Sequence, residues 1–168
     1  MSEFTEGNLR IQFPTDVQVR KFDTARQHGR LNCMKAVDFI AELDDRYLFI
    51  EFKDPQHPKA QQTDRDEFIE KLGQGAIDED LKYKYRDSLL YEWACQRAEK
   101  PIFFYVLIAL DTLTDADLLV RTDALKRKLP LSGPPSGTWI RNIVAGCAVF
   151  NLTTWNEYLP EIPVSRIA

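Results

Sequence analysis

At 168 residues the chain suits one domain built round one core. Hydrophobic residues make up 44% and charged residues 29%, a balance that excludes an intrinsically disordered chain. The net charge of −4 excludes a generally basic surface and confines any nucleic-acid site to a local patch on an acidic body.

The opening MSEFTEGNLR has no basic segment leading into an apolar run, so no secretory leader is expected. Asn8 to Phe13 alternates polar and apolar residues and stops at Pro14, which predicts a strand; Val17 to Phe22 alternates again and predicts another. Residues 23–32 are polar and read as a loop. The stretch from Val37 to Lys53, VDFIAELDDRYLFIEFK, reads as two apolar strands joined by a tight turn at Asp44-Asp45.

Residues 54–66 carry two prolines and many polar groups and predict a surface loop, with a short helix over 67–72 ended by Gly73-Gln74-Gly75. Asp78 to Glu99 is the best helix pattern. Acids crowd its start and bases its end, and Leu81, Tyr85, Leu89, Trp93 and Gln96 recur at helical spacing before Pro101 stops it. Ile102 to Leu110 is apolar throughout, as a strand covered on both faces should be. It is too short to span a bilayer, which takes about 20 residues, so no membrane span and a soluble cytoplasmic chain are expected.

Thr114 to Leu129 predicts a helix capped by Thr114, with Lys126, Arg127 and Lys128 in its last turn. Residues 131–137 form a Gly/Pro/Ser loop and 143–152 a last strand. No repeat or domain boundary interrupts residues 1–168. The order of strands, helix, strand, helix, strand predicts an α/β fold, a mixed sheet flanked by helices. Cys33, Cys95 and Cys147 are far apart and outside any C-x-x-C pair, and neither His28 nor His57 stands at zinc-ligand spacing from them; buried free thiols are expected.

Charge inside the 37–53 hairpin raises a chemical question. If Asp44-Asp45 is the turn, Ile40 faces Phe49 and Asp38 faces Glu51, with Cβ atoms about 4.5–5.5 Å apart. Lys53 shares the face of Glu51 because side chains alternate along a strand. Val37, Phe39, Ala41, Leu43, Leu48, Ile50 and Phe52 form the opposite, apolar face. Facing like charges destabilise a sheet unless a cation fills the gap. Lys53 alone gives a structural ion-pair triad. A divalent metal suits two hard carboxylates better, with the lysine placed to steady developing negative charge or position a water.

Asp38, a hairpin, Glu51-Phe52-Lys53, then a long helix and a buried strand together resemble the PD-(D/E)XK restriction-endonuclease-like superfamily over about residues 17–110. The resemblance implies a restriction-endonuclease-like core and a nuclease that hydrolyses phosphodiester bonds with Mg²⁺ or Mn²⁺. Asp38, Glu51 and the Phe52 carbonyl would hold the metal, and Lys53 would assist the water. Val37 stands where that family often has Pro, and the acidic residue of its first helix would fall on Glu3 or Glu6, in a stretch that reads as strand. No Gln-x-x-x-Tyr helix motif is present.

Nucleic acid, DNA rather than RNA, is the implied partner. Lys82 and Arg86 share a helical face and are candidate phosphate contacts, with His57 and its loop neighbours Asp54, Gln56 and Lys59 beside the site. Arg20, Lys21, Arg26 and Arg30 form a looser basic set. A homodimer or partner protein would supply specificity. The alternative function is a nuclease-fold module that no longer cuts and serves as a binding or assembly partner in a defence or mobile-element system.

Overall fold

The computed structural model describes residues 1–24 and 33–167. Arg26, His28, Arg30 and most of the expected 23–32 loop lie outside them.

A five-stranded sheet forms the centre. Its strands β3 (Gln18–Lys21), β4 (Phe39–Glu42), β5 (Tyr47–Lys53), β6 (Ile102–Ile108) and β7 (Gly146–Phe150) lie side by side in that order. β3, β4 and β5 pair antiparallel, whereas β5–β6 and β6–β7 pair parallel, so the sheet is mixed. The hairpin register puts Ile40 opposite Phe49, and Leu43 donates its N–H to the Arg46 carbonyl at 2.9 Å across the Asp44-Asp45 turn. That is the register the sequence predicts.

Helices α1 (Gln62–Gly73), α2 (Ala76–Ala94) and α3 (Asp115–Lys126) cover one face of the sheet. The other face carries a second sheet of β1 (Ser2–Glu6), β2 (Leu9–Phe13) and β8 (Val164–Arg166), in the order β1-β2-β8, together with α4 (Leu152–Tyr158). The central sheet therefore has a core on each side. Ile40, Tyr47, Phe49 and Phe104 point to the helices; Phe39, Ala41, Leu48, Ile50 and Phe52 point to the small sheet. Tyr85 anchors α2 between Phe49 and Phe104, with ring centroids 5.6 and 5.3 Å away, and gives its hydroxyl proton to the Ile143 carbonyl at 2.7 Å. Trp155 of α4 does the same on the other side, its indole N–H donating to the Ile162 carbonyl at 2.8 Å.

Several expectations are corrected. Val37 packs with the helix side rather than with Phe39 and Phe52, because β4 begins only at Phe39 and alternation does not extend back to it. α1 starts at Gln62 instead of 67, nucleated where Asp64 accepts the Gln61 N–H at 2.8 Å. α2 ends at Ala94 instead of 99. The N–H groups of Gln96 and Arg97 turn back to the carbonyls of Trp93 and Glu92, with Gln96 in the left-handed region at φ 58°.

Trp93 is 66% exposed rather than core. A strict four-residue step drifts about 40° round a helix, so the buried line runs 81, 85, 88, 92 and leaves 93 outside. α4 and β8 fall in the expected last strand and tail. Cys147 alone of the three free cysteines is buried, and burial pushes its thiol up to about 11. None of the described helices is long and apolar enough to cross a membrane.

Candidate active site

Asp38 and Glu51 meet at the end of the hairpin away from its turn. Asp38 is 5% exposed and Glu51 1%. The Phe52 N–H donates to Asp38 Oδ2 at 2.7 Å, so the aspartate side chain takes a bond that a longer β4 would take with its backbone. The Asp38 carbonyl meanwhile accepts the Phe22 N–H at 2.8 Å, which ties this end of β4 to β3.

Lysines converge on Glu51 from two elements. Lys53, two residues along β5, sets its Nζ 3.0 Å from Glu51 Oε1. Lys84, reaching in from α2, stands 2.6 Å from the same oxygen and 4.0 Å from Asp38 Oδ1. Lys53 also touches Asp80 Oδ2 at 3.3 Å, and Asp80 is paired with Lys35. Glu51 Oε2 is buried and has no hydrogen-bond partner among the described residues.

A second acidic group adjoins the first. Glu6, Asp23 and Asp38 each offer a carboxylate oxygen, and the three oxygens lie within 4.8 Å of one another. Glu6 arrives on the β1–β2 turn, where Gly7 takes the left-handed conformation at φ 55° that a two-residue hairpin turn needs. Lys21 contacts Glu6 Oε2 at 2.7 Å and gives its Nζ proton to the Thr5 carbonyl at 2.9 Å.

Electrostatics follow from crowding. Burial pushes the Asp38 carboxyl well above the usual range, Glu51 pushes it further, and Lys84 and the Phe52 N–H only partly offset this. Burial also raises Glu51 against the pull of Lys53 and Lys84, and burial and Glu6 raise Asp23. Burial works to lower Lys53, but Glu51, Asp80 and Asp38 outweigh it and hold the ammonium charged. The group is therefore short of positive charge at Asp38 and Asp23.

The other candidates fall elsewhere. Lys82 pairs with Glu79, and Arg86 is exposed 5.9 Å from the Tyr83 ring. Each is two residues from Lys84, about 200° round the helix, so they lie across α2 from the carboxylates. The His57 ring lies against the β1–β2 turn, close enough that a side chain on Gly7 would touch it at 3.4 Å, and its Nδ1 accepts the Lys59 N–H at 3.1 Å. Asp54 is held by Arg166 of β8 at 2.9 and 3.1 Å, and Gln56 accepts from the Asp111 N–H at 3.0 Å. These two loop residues brace the end of β5. Arg20 is committed to Glu92.

Lys84, Asp80, Asp23 and Glu6 are the site residues that sequence reasoning missed or left unassigned. A signal was present for two of them. Asp80, Lys84, Ser88 and Glu92 recur every four residues beside the apolar pair Leu81 and Tyr85, a polar stripe on a helix face that must meet the sheet. Ser88 accepts the Val37 N–H at 3.0 Å, and Glu92 binds Arg20 and Arg97.

Set beside protein-family models, curated proteins and solved structures, the chain matches none. The class that the geometry itself defines is an α/β protein with a mixed, helix-flanked sheet and a buried carboxylate–lysine cluster at the ends of two adjacent strands.

Proposed function

We propose that this chain is a metal-dependent phosphodiester hydrolase acting on nucleic acid, with a restriction-endonuclease-like core. The observation that carries the reading is Glu51 Oε2, buried beside Asp38 without a hydrogen-bond partner among the described residues. A buried carboxylate oxygen left unpaired is costly, and a cation relieves the cost. The donor set is hard oxygen throughout and suits Mg²⁺ or Mn²⁺. Asp38 and Glu51 would hold the ion. Phe52 adds its carbonyl, since a residue in an antiparallel pair points its N–H and C=O to the same neighbour and the N–H here already faces Asp38. Asp23 and Glu6 extend the acidic wall on the Asp38 side.

When bound, the ion would polarise a phosphoryl oxygen and lower the pKa of a coordinated water. The chain's own residues supply the rest. Lys53 is charged and 3.0 Å from Glu51, placed to steady negative charge developing on phosphate. Asp80 also contacts the Lys53 ammonium, at 3.3 Å, and so helps to fix its position.

A second reading is favoured by one contact. The Lys84 ammonium already sits between Glu51 and Asp38, as the cation of a structural cluster would. On that reading the chain is a nuclease-fold module that binds or assembles without cutting. Isothermal titration with Mn²⁺, together with cleavage of single- and double-stranded DNA and RNA, separates the two. Saturable metal binding lost in Glu51→Gln, with cleavage lost in Lys53→Ala, supports hydrolysis. Metal-independent stability and no cleavage of any substrate support the module.

A further inference from the structure

Beyond this reading, and on the opposite side of α2 from the carboxylates, lies a cavity of about 850 Å³. α2, the end of α3, the start of β6 and the loop before β7 enclose it. Five cations line it against one carboxylate, Asp87. Two of the five are spoken for: Lys100 binds Glu42 at 2.7 Å and Lys128 binds Glu79 at 2.8 Å. The remaining three, Arg86, Arg127 and Arg141, pair with no carboxylate among the described residues. Arg141 donates to the Glu99 carbonyl at 2.7 Å, and Arg86 lies 5.9 Å from the Tyr83 ring. Complementing the α3 dipole accounts for Arg127 at its C-cap. It does not account for Arg86 on α2 or Arg141 on the loop.

Flat side chains rise beside these arginines. Tyr83, Arg86, Leu90 and Trp93 recur along the outer line of α2 and are all exposed. The Tyr83 ring is bordered by Lys82 at 4.7 Å and Arg86 at 5.9 Å. Trp93 lines the cavity and is largely exposed, so its ring offers a face to stack on.

We propose that this face binds a single-stranded segment of nucleic acid, with bases stacked on Trp93 and Tyr83 and phosphates held by Arg86, Arg127 and Arg141. Guanidinium forks match phosphate oxygens in pairs, and exposed rings beside a cationic groove are how single strands are held without base readout. On a chain of net charge −4, this unneutralised patch is the local exception that an anionic partner needs. The site stands whether or not the carboxylates cut.

The test is anisotropy of a labelled 12-nucleotide oligothymidine on the full chain, in chelator so that no hydrolysis intervenes. Trp93→Ala weakens binding about 5- to 150-fold with an unchanged melting temperature. Arg127→Gln with Arg141→Gln lowers the slope of log affinity against log salt by about 1.4. Lys71→Gln, at an exposed cation on α1 outside both the carboxylate cluster and this cavity, leaves affinity and salt slope unchanged, which separates a defined site from general charge. No binding at low salt, a Trp93→Ala affinity equal to wild type, a loss in Lys71→Gln equal to that of the arginine pair, or equal competition by poly-glutamate would overturn the proposal. The last result assigns the face to an acidic protein instead.

Discussion

Lys84 places its ammonium 2.6 Å from Glu51 Oε1 and 4.0 Å from Asp38 Oδ1, so one side chain from α2 serves two carboxylates on neighbouring strands. Lys84→Met keeps the length of the stem and removes the charge. Among the described residues, Glu51 then keeps only Lys53, and Asp38 keeps no cation within 4 Å. Breaking a mostly buried pair of this kind costs about 3 kcal/mol. If the gap is a metal site, millimolar Mn²⁺ restores most of the lost stability. Thermal melts of the variant with and without metal decide this, and a deficit that metal does not reduce assigns Lys84 to the fold alone.

Asp38→Asn is expected to stabilise the metal-free chain near neutral pH. The folded-state pKa values of Asp38 and Glu51 are raised, so the native state binds more protons than the unfolded state above the ordinary carboxylate pKa of about 4. Stability contributed by these groups therefore falls as pH rises from about 4 through the raised pKa values, and is fully lost above them. The variant flattens that fall and gains up to about 1 kcal/mol at pH 7, the scale of a like-charge cross-strand pair. Denaturant midpoints from pH 4 to pH 8 measure it; a variant less stable than wild type throughout makes Asp38 a net partner of the lysines.

Glu92 shows the opposite sign. It is fully buried on α2 and held by Arg20 at 2.5 and 2.9 Å and by Arg97 at 2.9 and 3.1 Å. Burial alone would raise its carboxyl, but the two guanidiniums outweigh burial and hold it below the usual range. Its contribution is present above the unfolded carboxylate pKa and is lost as pH falls through the depressed value. Glu92→Gln leaves two arginines facing a neutral amide and is expected to cost about 3 kcal/mol at pH 7. The difference from wild type should shrink on acidification, as urea melts at pH 3 and pH 7 would show.

Gln96 closes α2 in the left-handed region at φ 58°. A side chain there carries a strain of about 1–2 kcal/mol that glycine lacks, partly offset by the freedom glycine has in the unfolded chain. Gln96→Gly is expected to raise stability by about 0.5–1 kcal/mol without altering metal or nucleic-acid binding. A melting temperature below wild type would mean that the Gln96 side chain supports the turn.

The central hairpin was legible because three signals agreed there: alternation, an acidic turn, and charges out of place. Asp38, Glu51 and Lys53 followed from register arithmetic alone. Lys84 did not, since its helix offers bases on more than one side, and Lys82 and Arg86 drew attention by their aromatic neighbours. Helical phase measured from the buried Tyr85 separates them. Asp23 was out of reach for another reason, and Glu6 was named only through the family resemblance, as an alternative to Glu3. They approach Asp38 through the β1–β2 hairpin and the segment after β3, and no local pattern states which edge of a sheet such a segment will cross. The ends of α1 and α2 were misjudged where the Asp64 side chain and the left-handed backbone of Gln96 set the boundary in place of glycine or proline.

β2 takes its second neighbour from far along the chain: Arg10 reaches Ser165 of β8 across a separation of 155 residues. Contacts of that span form late, because the loop they close must be ordered first. Asp38, Glu51 and Lys53 come from a hairpin that can pair as soon as it is made. The strand that steadies Glu6 waits for β8, and so does the Arg166 grip on Asp54 at the end of β5. A nascent or clipped chain lacking β8 would hold the inner carboxylates in register while their outer wall stayed unanchored. Completion of the acidic cluster is thus timed by β8, which is synthesised after every residue of the cluster.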